Sequence, residues 1–159
     1  MKKIAVILLL SVCVCSFSCE KCNKKLYKAA KEGDFHEVKG LVKGGADINF
    51  QDDDDKETPL MEAADEGHFK IVKHLVAKGA LLDVQDEDGD TALHKAAEEG
   101  HIKIVKFLVK SKAKIDLRNK KGRTPLEEAM DELKDAKKGT GKYNNLQKVV
   151  NYLKKVSEK

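Results

Sequence analysis

Between residues 58 and 80 the apolar positions fall into two groups with helical spacing. Leu60, Ala63 and Ala64 lie three and four apart and predict the inward stripe of a short helix. Phe69, Ile71, Val72, Leu75 and Val76 predict a second. Thr58 offers a hydroxyl N-cap, and Pro59 follows at the first helical position, where its missing N–H costs nothing. Gly67 stands at the end of the first helix, where a left-handed residue satisfies the last carbonyls. Gly79 and Ala80 close the second, and a polar stretch runs on to the next Thr. The segment therefore reads as helix, turn, helix, polar loop.

The same pattern returns along the chain. Gly67 to Lys73 reads GHFKIVK, and Gly100 to Lys106 reads GHIKIVK. Thr58, Thr91 and Thr124 recur at equal intervals. Leu26, Leu60 and Leu93 each precede a valine (Val38, Val72, Val105) by one constant offset, and Ala46, Ala80 and Ala113 mark the unit ends. A fixed period of about 33 signals stacked units that share one elongated core. The segment Asp88 to His101, DGDTALHKAAEEGH, resembles the ankyrin repeat almost position for position. That resemblance covers about residues 24 to 156 and implies an all-α solenoid of about four helix-turn-helix repeats joined by hairpin-like finger loops.

The units run roughly over 23–52, 53–85, 86–118 and 119–156. The first starts at its helix without a leading finger, and its loop to the second unit carries one extra residue. In the fourth, Leu126 precedes Val150 by twice the usual offset, so an insertion falls near 133–145. The expectation there is a longer first helix, a turn at Gly139-Thr140-Gly141 and a closing helix carrying Leu146, Val149, Val150 and Leu153. Lys112 replaces the family glycine before Ala113, which predicts a slightly strained helix end.

The segment 1–18 differs in kind: a basic Met1-Lys2-Lys3, an apolar run from Ile4 to Val14 broken only by Ser11, and no acid. The run is too short to span a bilayer, which takes about 20 apolar residues, and has the layout of a secretory signal peptide. All four cysteines (Cys13, Cys15, Cys19, Cys22) fall in or beside it, so the repeats carry no disulfide framework. Ser16-Phe17-Ser18-Cys19 resembles a relaxed bacterial lipoprotein box, with Ser16 where that pattern prefers Leu. It implies lipidation of Cys19, residues 19–22 as a short anchor or linker, and a cell-envelope location, membrane-anchored or periplasmic. Ser16 and Ser18 also fit ordinary cleavage and soluble export.

Charge narrows the function. Basic and acidic residues nearly cancel, 31 against 27, which is too balanced for the usual nucleic-acid binder. His68, His94 and His101 occupy structural positions of the repeat family, and His36 and His74 lack a ligand partner one turn on. Asp86 to Asp90 lacks the glycine position and closing glutamate of a calcium loop. The expectation is a non-enzymatic protein with no cofactor, no metal, no small-molecule substrate and no nucleic acid. In ankyrin proteins the finger tips and exposed first-helix positions line a concave face that binds protein partners. Carried over by alignment, those positions are Asp54, Asp55, Glu57, Asp65 and Glu66 in the second unit and Glu87, Asp88, Asp90, Glu98 and Glu99 in the third. All ten are acidic, which implies a partner with a basic surface. Asp131 and Glu132 continue the row, while the second helices carry Lys70, Lys73, Lys103, Lys106 and Lys110.

Overall fold

The computed structural model describes residues 19–158, so the leader read at 1–18 lies outside it. Eight helices follow in order: α1 (Glu20–Glu32), α2 (Phe35–Lys43), α3 (Pro59–Asp65), α4 (Phe69–Ala77), α5 (Ala92–Glu98), α6 (Ile102–Lys110), α7 (Pro125–Asp135) and α8 (Gly141–Ser157). There is no strand among the described residues. Helices α1, α3, α5 and α7 pack side by side as an inner row, and α2, α4, α6 and α8 pack behind them as an outer row.

The inner helices start where the threonines predict. The hydroxyls of Thr58, Thr91 and Thr124 accept hydrogen bonds from the backbone N–H groups of Met61, His94 and Glu127. Behind these caps the alanine pairs are sealed: Ala29 and Ala30, Ala63 and Ala64, and Ala96 and Ala97 are each at most 1% exposed. Small side chains let neighbouring helices approach closely. Leu26, Leu60, Leu93, Val38, Val72 and Val105 complete one continuous core. In the fourth unit Leu126 is only half-buried, and Leu146, Val149, Val150 and Leu153 of α8 supply the apolar face.

The fingers are turns held by side chains. Each is closed by a backbone bond: Asp52 N–H to the Glu57 carbonyl, Asp86 to Asp90, and Asn119 to Arg123. Successive fingers are then linked, with Glu87 N–H donating to the Asp55 carbonyl and Lys120 N–H to the Asp88 carbonyl, each at 2.8 Å. The extra residue before the second unit lies inside its finger, which spans Asp52 to Glu57 where the next spans Asp86 to Asp90.

Two histidines lock adjacent units. His68 and His101 precede α4 and α6, and their Nε2 atoms lie 3.0 and 2.7 Å from the carbonyl oxygens of Lys31 and Asp65. Each ring is seated on a glycine of the preceding unit. A methyl group placed on Gly33 would lie 2.5 Å from His68 Cε1, and one on Gly67 would lie 2.6 Å from His101 Cε1. Both glycines have positive φ (78° at each), so two independent constraints exclude a side chain.

Two features depart from the plain pattern. Residues 19–22 are no linker: α1 begins at Glu20, steadied by Lys24, which reaches both Glu20 (3.0 Å) and Asp53 in the next finger (2.8 Å). Lys112 adopts φ 74°, the conformation that glycine takes at Gly79.

A left-handed L-residue costs roughly 1–2 kcal/mol, part of which glycine returns as unfolded-chain entropy. Lys112→Gly should therefore raise the unfolding free energy by about 0.5–1 kcal/mol, whereas Leu93→Ala, at a fully buried site, should lower it by about 2–5 kcal/mol. Urea denaturation of both variants measures this; a loss of stability in Lys112→Gly would mean that the lysine contributes more than the strain costs.

Candidate protein-binding face

The inner helices and the fingers form one face, and the structure sorts its ten aligned carboxylates by environment. Asp54, Asp55, Glu66, Glu87 and Asp88 are exposed. Asp90 is not available to a partner. It is 5% exposed, and its Oδ1 accepts from Asn119 Nδ2 at 2.8 Å, which ties the third finger to the fourth. The alignment put Asp90 on the surface because it is polar and next to the finger tip; its side chain instead turns beneath the finger. Glu57 is half-buried and bound to Lys95 at 2.6 Å. Glu99 is half-buried and faces Lys142 at 3.2 Å.

Asp65 and Glu98 are different again. They hold the same position in successive units, at the C-terminal ends of α3 and α5. Both are half-buried, and neither carboxylate has a hydrogen-bond or ion-pair partner among the described residues. Burial pushes Asp65 above the usual carboxylate range, with Glu99 and Glu57 adding to it against the pull of Lys95. Glu98 is raised by burial and by Glu128, Glu132 and Asp90. Asp55 is raised as well, by desolvation and by Glu57, Asp52, Asp54 and Glu87. These groups carry negative charge where their surroundings oppose it, and an incoming cation would relieve the conflict.

Beneath the surface lies a polar ladder that the alignment missed. Four positions after each capping threonine stand Glu62, Lys95 and Glu128. Glu62 is 3% exposed and receives Lys31 at 3.1 Å and the Tyr27 hydroxyl. Burial raises its carboxyl, and the nearby Glu57 adds to this. Lys95 bridges Glu57 and Asp86 (3.0 Å), and those partners outweigh the burial that would otherwise lower its pKa. Glu128, also 3% exposed, holds Lys121 at 3.1 Å and Arg123 at 3.5 Å. The alternation of sign at the repeat spacing was visible in the sequence, but burial at that position was not.

The fourth unit neutralises its own acids. Asp131 pairs with Arg123 (2.6 Å) and Lys134 (2.8 Å), and Glu132 faces Lys142 at 3.7 Å. The uncompensated part of the face is therefore confined to the second and third units. Lys142 belongs to the inserted segment, so no repeat alignment could place it.

His94, like His68 and His101, is held by the fold. His94 holds Thr91 Oγ1 through Nδ1 (2.9 Å) and the Arg123 carbonyl through Nε2 (3.1 Å). No group of metal-binding side chains is present among the described residues. No described helix is long and apolar enough to cross a membrane.

With the stacked helix pairs, capped threonines and histidine locks in place, comparison with known families settles the class. The family described as ankyrin repeats (3 copies) matches over residues 3–86, 26–119 and 78–153. The chain belongs to the ankyrin-repeat family. A search of curated proteins finds no match. Ankyrin-repeat proteins are generally non-enzymatic modules for protein–protein interaction, which implies protein partners for this stack. Its inner face, with the fingers, is the one on which the aligned acids converge.

Removing the charge conflict should strengthen the fold. Glu98→Gln is expected to melt higher than the wild type at pH 7. A carboxyl raised in the folded state binds its proton more tightly there than in the unfolded chain, so its unfavourable contribution fades as pH falls through the raised value. The gap between variant and wild type should therefore close by about pH 4, near the unfolded glutamate pKa. Thermal melts at the two pH values measure it; a lower melting temperature for Glu98→Gln at pH 7 would mean that Glu98 has a partner that stabilises its charge.

Proposed function

We propose that this ankyrin protein is an exported, lipid-anchored adaptor that binds a basic segment of a partner protein through the inner face of its second and third units. The observation that carries the reading is the pair Asp65 and Glu98: equivalent, half-buried, unpartnered carboxylates on successive inner helices, flanked by exposed Glu66. Partly buried like charges cost stability, and a basic side chain laid between them would be better desolvated, and more strongly held, than at an open surface. A face kept acidic only for solubility would place its charges in open water.

Anchoring rests on the Cys19 motif. Cys19 is exposed at the first described position, and α1 starts one residue later. An acyl group there would hold the stack flush against the bilayer. A second reading, export without an anchor to act outside the producing cell or as an accessory to an envelope enzyme, uses the same face and differs at Cys19 alone.

A lysine-rich synthetic peptide should bind the protein and lose affinity as salt shortens the Debye length from about 10 Å at 0.1 M to about 3 Å at 1 M. Replacing Asp65, Glu66 and Glu98 by Asn, Gln and Gln should weaken that binding roughly tenfold or more, since each lost charge-assisted contact removes on the order of 1 kcal/mol. The melting temperature should not fall. Calorimetric titration with a parallel melt reads both, and undiminished affinity in the triple variant would discard the inner face as the site.

The anchor is tested separately. Cys19→Ser should move the protein from the membrane fraction to the soluble fraction, and the intact mass of the wild-type protein should include an acyl addition. A mature wild-type mass beginning at an unmodified Cys19 would rule out lipidation.

A further inference from the structure

The outer row has the opposite electrostatic character from the inner face. Helices α4, α6 and α8 contain no aspartate or glutamate, and α2 contains only Glu37. Lys39 and Lys43 on α2, Lys70 and Lys73 on α4, Lys78 at its end, Lys103, Lys106 and Lys110 on α6, and Lys148 on α8 are all exposed. None makes an ion pair or a side-chain hydrogen bond among the described residues. Toward the inner face, by contrast, Lys31, Lys95, Lys121 and, from the start of α8, Lys142 each hold a carboxylate, although Lys21 and Lys25 of α1 do not. Solubility alone asks only for charge, and mixed charge serves it without mutual repulsion. A face on which every one of these lysines is left without a counter-charge favours an anionic surface outside the protein.

The lysines are also contiguous across the repeats. Lys70 and Lys73 line one shallow depression with Phe35 and His74. Lys39, Lys43 and Lys78 line the next, on the other side of His74. Lys103 and Lys148 border a third. Positive charge thus runs from the first unit to the last instead of gathering in one cleft, as suits a two-dimensional array of phosphates. The chemistry agrees. The outer helices carry lysine without a single arginine, and so lack the planar fork that reads a phosphate or base edge bidentately. Lysine heads lie over rings, with Lys73 Nζ 5.9 Å from the Phe69 centroid and Lys106 Nζ 5.5 Å from that of Tyr152. Phe35, 39% exposed, stands among the lysines with its edge to His74. Apolar bodies beneath charged heads are the make-up of a surface that lies in the headgroup layer.

We propose that the outer face of α2, α4, α6 and α8 docks on anionic phospholipid bilayers, leaving the acidic inner face turned toward the partner. The docking itself does not depend on acylation of Cys19 or on what the inner face binds.

The test uses the full chain and two kinds of vesicle, phosphatidylcholine alone and phosphatidylcholine with phosphatidylglycerol, at about 0.1 M salt. The leader and any acyl chain are common to every arm, so the ratio of partitioning onto anionic over neutral vesicles isolates the charged face. The wild type should prefer anionic vesicles, by a factor that falls as salt rises. Reversing one lysine per outer helix (Lys39→Glu, Lys70→Glu, Lys103→Glu and Lys148→Glu together) should reduce that preference by more than the roughly fivefold that loss of each surface lysine's charge would give. Lys→Gln at the same four positions, the gentler variant for folding, should reduce it in the same direction and leave lysine-peptide binding intact. The proposal is overturned if the wild type shows no anionic preference, or if the glutamine variant keeps the full preference. It is also overturned if an oligonucleotide at equal phosphate concentration strips the protein from anionic vesicles, which would make the face a nucleic-acid surface.

Discussion

A helix of two turns does not persist alone in water, because nucleation fixes several residues before hydrogen bonding repays them. Both α3 and α5 are that short. Everything else in the molecule follows from the need to hold such helices from outside. The threonine hydroxyl holds one end, and the histidine of the same unit reaches back to the carbonyl end of the inner helix before it. The alanine pairs let the inner helices pack flank to flank. Stability is therefore a property of the interfaces between units, as expected for a quasi-one-dimensional array, and the exposed edges of the inner helices are free to carry charges that do not help the fold.

That freedom is visible in how charge is distributed. Carboxylates that serve the architecture are buried and answered: Asp90 by Asn119, Glu62 by Lys31 and Tyr27, Glu128 by Lys121 and Arg123. Asp65 and Glu98 are partly buried and unanswered. The distinction separates carboxylates that hold the finger and helix together from carboxylates that do not. On the outer row the lysines from Lys39 to Lys110, with Lys148, are unanswered too, whereas Lys142 at the start of α8 reaches Glu99 and Glu132.

Most of the fold could be read from the chain because it rests on local, repeated signals. Thr58, Thr91 and Thr124 mark helix starts through their own hydroxyls, and Leu26, Leu60 and Leu93 mark the core through a fixed spacing. Even the strain at Lys112 was foreseeable from the missing glycine. The site was read less well. Whether a finger carboxylate faces out or turns under depends on a residue one repeat away, as Asn119 shows for Asp90, and no single-unit pattern contains that partner. Lys142, which screens Glu99, enters from an insertion outside the period. The start of α1 at Glu20 was missed for a similar reason: its support comes from Asp53 in the next unit.

The seat above Gly100 differs from those above Gly33 and Gly67. No histidine ring occupies it; the backbone of Leu146 and the side chain of Asn145 press against it instead, at 3.2 and 3.3 Å from where a methyl group would stand. The position that would correspond to His68 and His101 is Lys134, still within α7. The fourth unit therefore takes its seat on the third through the α8 backbone and Asn145 rather than through a histidine ring. A side chain at Gly100 would press on helix backbone, which cannot turn aside as a ring does.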